Sequence, residues 1–218
     1  MDVRNPPAAH NAVRFIGTTL DATARSVYRF KKGSPRISYQ TAYNAIHDHV
    51  HWGLDEGTLI KMVQRLKSEQ NRKCNHEFLQ AYFDYHSALG LEGVPAFDDQ
   101  VVAFRVSAGL KLPVKPTAIV AGEDRFNVLT CLGWSTTNLS DFQKRLWMTI
   151  HEDALFSLTD FRTARGVFSM YPKIKGEREL VMWERGDYDL LSMGELDDNL
   201  DMLAEAIRMA EQWIADGH

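Results

Sequence analysis

The sequence predicts an α+β protein, with an N-terminal helical region of about four helices followed by a mainly antiparallel sheet of about five strands and two covering helices. Three observations carry this. Apolar residues recur at steps of three and four from about residue 18 to residue 90. Beyond a break at Leu91–Asp99, which holds Gly93 and Pro95, the pattern changes to short β-branched runs. Two late segments, Ser140 with Gln143 and Ser192 with Glu195, have the spacing of capping boxes that open helices.

Each element follows from local residues. Residues 1–12, with Pro6-Pro7, are expected as a flexible tail, 13–92 as the helical region and 98–218 as the α+β domain. Thr18 and Asp21 start a first helix that runs toward Lys32 and ends at Gly33-Ser34-Pro35. Tyr39, Ala42, Tyr43, Ile46 and Val50 share one face of a second helix, stopped by Gly53. Asp55 caps a third helix that buries Leu59, Met62, Val63 and Leu66. A fourth starts near Asn75, aligns Phe78, Tyr82, Tyr85 and Leu89, and ends at Gly90. Val101–Ser107 reads as a strand, and Thr117–Ala121 with Phe126–Leu132 as a hairpin. A helix from Ser140 to about Ala154 follows, then a second strand pair, Val167–Tyr171 and Glu179–Trp183. Each strand pair ends in a tryptophan, Trp134 or Trp183, and leads to a Leu-Ser capping box, the pattern of a duplicated ββα unit.

Composition narrows the class. The 218 residues are 44% hydrophobic and 25% charged, which excludes intrinsic disorder and collagen-like repeats. No uncharged apolar stretch approaches the ~20 residues of a membrane span. Met1–His10 has no apolar run, and two cysteines, Cys74 and Cys131, make no disulfide framework, so a cytoplasmic protein is expected. The net charge of −4 hides an asymmetry: residues 1–90 carry 12 Lys/Arg against 8 Asp/Glu, whereas 186–218 carry 9 acids against Arg208 alone. Such asymmetry bears on partners.

Three clusters are candidate sites. Arg25, Arg29, Lys31, Lys32 and Arg36 form an acid-free basic run interleaved with Tyr28 and Phe30. Phosphates are held by such cations, and bases stack on such rings. Five of eight histidines fall between residues 47 and 86. His47 and His51 stand one helical turn apart, and with Cys74 and His76 they are the candidate ligands of a divalent metal. In the last helix Leu196, Leu200, Leu203, Ile207 and Ile214 repeat at heptad-like spacing, opposite an acidic face, as a core seam or a surface for a protein partner or a second copy. A weaker acid–base set is His151, Glu152, Asp153 and Asp160.

Strong catalytic signatures are lacking: there is no phosphate-binding glycine loop, no nucleophile elbow and no His-Glu-x-x-His. A nuclease core built on the hairpin would need an acid near Thr117 and an acid and a lysine on the second strand, and this chain has neither acid. The leading expectation is a non-enzymatic binding or regulatory protein that contacts nucleic acid through the basic N-terminal surface and a protein partner through the last helix. The alternatives are a metal-dependent hydrolase using His47, His51 and His76, and a purely structural interaction protein.

Overall fold

A short helix, α1 (Ala9–Val13), stands where a flexible tail is expected. Ala9, Ala12 and Val13 are buried, and these small side chains let α1 lie close to a later helix of the sheet layer. The computed structural model describes residues 7–33, 37–91, 94–95, 102–105, 111–135 and 139–217. Four further helices follow as expected: α2 (Leu20–Lys32), α3 (Gln40–Trp52), α4 (Glu56–Gln64) and α5 (Glu69–Tyr85). Thr19 caps α2 and Asp55 caps α4, their side chains accepting from the backbone N–H of Ala22 and Thr58. Gly53 ends α3 with φ +65°, a conformation that a Cβ would strain.

The fourth of these helices begins six residues earlier than expected, capped by Ser68. Its first turns, Glu69–Cys74, are polar and carry no apolar period, although Glu69, Gln70, Arg72 and Lys73 are good helix formers. Asn75 is therefore mid-helix, and it is fully buried. Its Oδ1 accepts from Ala42 N at 3.0 Å, and its Nδ2 donates to Ser38 O at 2.7 Å and Asn71 O at 2.8 Å. The start of α3 has no side-chain cap of its own. Asn75 supplies that cap from the neighbouring helix. Asn75→Ala would orphan these groups, at roughly 1–3 kcal/mol for a buried unsatisfied partner. The expected outcome is a lower urea midpoint at unchanged m-value.

The main sheet has five strands, β1 (Val94–Pro95), β4 (Ala118–Ala121), β5 (Phe126–Leu132), β6 (Arg165–Met170) and β9 (Val181–Glu184), side by side in that order. Three of the pairings are antiparallel, while β5 and β6 run parallel with Leu129 opposite Val167. The expected strand near 101–107 is β2 (Val102–Arg105), which pairs with β3 (Lys111–Val114) in a separate two-stranded sheet. A second small hairpin joins β7 (Lys173–Ile174) to β8 (Glu177–Arg178).

Parallel neighbours need a crossover, and α6 (Asp141–His151) supplies it between β5 and β6. Both predicted capping boxes form, at Ser140/Gln143 and at Ser192/Glu195. The second opens α7 (Met193–Ala215). This helix packs chiefly along α2, and less on α6, where a cover for the sheet is expected. Lys31 of α2 donates to Glu211 of α7 at 2.8 Å, and the Tyr28 and Trp213 rings meet edge to face at 5.9 Å. Buried residues from the helical region, the sheet, α6 and α7 belong to one continuous hydrophobic core.

Candidate functional site

A cleft of about 920 Å³ opens between α1, the start of α3 and one end of the main sheet. The sheet end consists of Lys115, Pro116 and Thr117 before β4, together with Thr130, Cys131, Trp134 and Ser135 at the end of β5. Asn75, by holding Ser38 and Ala42, positions the α3 wall formed by Tyr39, Gln40, Tyr43 and Asn44. Gly133 lets this wall approach β5. A Cβ there would lie 2.5 Å from Phe78 Cδ1 and 2.9 Å from Tyr39 Cδ1. The Gly133 N–H donates to Tyr43 Oη at 3.1 Å, and burial pushes the Tyr43 phenol above its ordinary range, so it stays protonated. Arg178 fastens the same corner, donating to Gly133 O at 3.0 Å and Tyr171 O at 2.7 Å.

The cleft is lined by both apolar and polar side chains, with two cations among them. The Arg14 guanidinium lies over the Trp134 ring, 4.1 Å from its centroid, a stacking that fixes a planar cation. Lys115 is the other cation, and Asp48 is the one carboxylate among the described lining residues. His10 packs against Trp134 at 5.7 Å. Burial, with the nearby His151 and Arg14, pushes His10 down to about 3, so it is neutral at physiological pH. Burial pushes the Cys131 thiol up to about 12, and its sulfur accepts from Ser169 Oγ at 3.1 Å. It is a protonated packing group and not a nucleophile. Thr130 Oγ1 is buried on the cleft wall with no hydrogen-bond partner among the described residues. Thr117 and Thr130, on the hairpin where a nuclease would need acids, thus bring only hydroxyls to the cleft.

The predicted site residues are distributed otherwise. Arg25 is exposed and paired with Asp21 at 2.7 Å, and Lys31 is mostly buried against Glu211. Arg29 and Lys32 lie on the exposed side of α2, with Lys32 Nζ 5.5 Å from the Tyr28 ring. The rings expected to stack on bases are engaged internally, Tyr28 on Trp213 and Phe30 on Phe15 at 4.8 Å. Phe30 also reaches the cleft. Arg36 lies outside the described residues.

The four candidate metal ligands are not gathered. His47 and His51 stack face to face at 5.2 Å on α3, whereas Cys74 and His76 sit on α5. No group of three or more His, Cys, Asp or Glu among the described residues is placed to hold an ion. The sides of α3 and α5 that meet are taken up by the Tyr43–Phe78 ring contact and the Ala42–Asn75 hydrogen bond. His151 is buried among Trp147 and Phe168, Glu152 is clamped by Arg185 at 2.8 Å, and Asp160 is exposed, so the acid–base set is dispersed. Leu196, Leu200, Leu203 and Ile207 are buried inside the chain, and Ile214 is half-buried.

No protein-family model matches the chain, and no curated protein matches it. Among solved structures it is similar to the crystal structure of SSO0001, at 10% sequence identity and a TM-score of 0.29, over 89% of this chain and 85% of that one. That likeness carries no functional argument. No helix among the described residues is long and apolar enough to cross a membrane.

The cleft residues had little signal in sequence. Arg14 lies at the edge of the expected tail, Trp134 carries a signal only as part of the repeat, and Lys115-Pro116-Thr117 only through the acid it lacks. The hint that was present is the positive balance of the first 90 residues, to which Arg14 contributes.

Proposed function

We propose that this protein binds nucleic acid without cutting it, and that the cleft between α1, α3 and the end of β5 holds the phosphates. The observation that carries the proposal is the lining itself: Arg14 fixed over Trp134, with Lys115, faces one described carboxylate. Arg gives a planar, two-pronged donor to phosphate and Lys a point charge. The hydroxyls at Thr117 and Thr130 can donate hydrogen bonds but cannot act as general bases at neutral pH. The exposed side of α2, with Arg29 and Lys32, extends the positive surface beyond the cleft. Trp134 is covered by Arg14 and His10, so base stacking contributes little and sequence preference is weak.

Fluorescence anisotropy with a labelled single-stranded oligonucleotide, titrated across salt concentrations, tests this. Affinity should fall linearly in a log–log plot against salt, because each neutralised phosphate releases counterions. Lys115→Ala should weaken binding several-fold and flatten the slope by about 0.7. Arg25→Ala, whose side chain is engaged with Asp21, should leave affinity nearly unchanged. Undetectable binding at low ionic strength would overturn the proposal.

A further inference from the structure

We infer that a nucleic-acid strand lodged in the cleft continues over the corner where α4 turns into α5, and that Lys61, Arg65, Lys67 and Lys73 hold its next phosphates. This rests on the nucleic-acid reading above and extends it to a second surface.

The two helices form a hairpin with unlike ends. Residues 65–68 join them at the closed end. At the open end, Gln80 of α5 donates to Glu56, at the start of α4, at 3.0 Å and to Asp84 at 3.2 Å. The Asp55 cap lies there too. Carboxylates therefore gather at the open end and cations toward the closed end. Lys61 and Arg65 stand one helical turn apart, Lys67 is in the connection, and Lys73 follows early in α5. Arg72 ties the corner together, its guanidinium donating to Leu66 O at 2.7 Å and Lys67 O at 3.2 Å. Glu69 is the one carboxylate from Lys61 to Lys73.

These cations are not neutralised within the chain. All four are exposed, and among the described residues none of their side chains forms an ion pair or a hydrogen bond. On α2, by contrast, Asp21 and Glu211 take up Arg25 and Lys31. Like charges one helical turn apart, as at Lys61 and Arg65, repel and weaken a helix. A corner that keeps them without counter-charges suits an anion supplied from outside, and a nucleic acid supplies one at every phosphate.

The corner also adjoins the cleft. Lys61 precedes Met62, which lines the cleft, and Asn75, two residues beyond Lys73, bonds Ser38 and Ala42 at the start of the α3 wall. The exposed side chains between the cations are Gln64, Ser68, Glu69 and Gln70. None offers the aromatic or apolar anchor on which protein interfaces centre, which favours a nucleic acid over an acidic protein.

Anisotropy with a labelled single strand of about 20 nucleotides, long enough to cover both surfaces, tests this across salt concentrations. Lys67→Ala combined with Lys73→Ala should weaken binding about tenfold and flatten the log–log salt slope by about 1.4, for two phosphate contacts at about 0.7 each. Both side chains are exposed, so the urea midpoint should not move. Arg162→Ala removes an equally exposed cation before β6, at the end of the sheet away from the cleft, and should leave the slope unchanged. Polyglutamate at matched charge should compete far more weakly than unlabelled strand. An unchanged slope in the double variant, equal flattening by Arg162→Ala, or equal competition by polyglutamate would overturn the inference. The cleft reading is separable: it stands if Lys115→Ala still weakens binding, and a Lys115→Ala protein that binds like the wild type counts against the cleft alone. Failure of the strand to bind at low salt would overturn both.

Discussion

Acidification from pH 6.5 to 4 is expected to weaken this fold steeply, through His151. The side chain is 2% exposed, between the Trp147 and Phe168 rings. Burial pushes it down to about 4, against the opposing effect of its hydrogen bond to Trp147 O at 3.0 Å. The sign follows from proton counting. Above pH 6.5 both folded and unfolded chains hold a neutral imidazole, and nothing is lost. Below it the unfolded chain takes up a proton that the folded chain refuses until about pH 4, so stability falls across that window. The loss approaches the order of 3 kcal/mol. His10 acts in the same direction, but it is partly open to water in the cleft, so its share is smaller than its low value implies. Urea unfolding at several pH values checks this. His151→Phe fills the same aromatic slot and should flatten the pH dependence by close to one proton; an unchanged slope would refute the assignment.

Trp147→Ala should cost about 3–5 kcal/mol, enough to unfold a marginal domain. Trp147 is fully buried on α6, the helix that links the parallel strands. Its ring meets Phe168 of β6 at 5.2 Å and Trp183 of β9 at 5.5 Å, and those two rings stack on each other at 5.9 Å. Removing the indole leaves a cavity against β6 and the edge strand β9. The Trp147 N–H has no partner among the described residues, so Trp147→Phe removes an unpaired donor as well as volume. It should cost much less than the alanine substitution. Equal losses for the two variants, read from urea midpoints, would mean that cavity volume does not govern this site.

The parts of the fold readable in sequence are those decided within a few residues. Ser140 with Gln143 and Ser192 with Glu195 announce two helices because a capping box closes inside one turn. The Phe126–Leu132 strand and the Gly122–Arg125 turn are equally local. What was hidden depends on partners. The choice of β6 as a parallel neighbour for β5 is made by the α6 crossover and not by either strand's composition. α1 spans only five residues and shows its apolar side only once packed. The basic run Arg25–Arg36 predicts one surface, yet Asp21 and Glu211 take up two of its cations. The cleft joins His10, Tyr39, Lys115 and Trp134, four chain segments that no spacing rule connects.

The docking of α7 on α2 has a consequence for how the chain matures. Lys31 and Glu211 are 180 residues apart, and between them stands the whole sheet. During synthesis the apolar side of α2, with Val27 and Tyr28, therefore waits uncovered until residues 193–215 have emerged. The nascent protein spends that interval with the apolar side of α2 lacking its α7 cover.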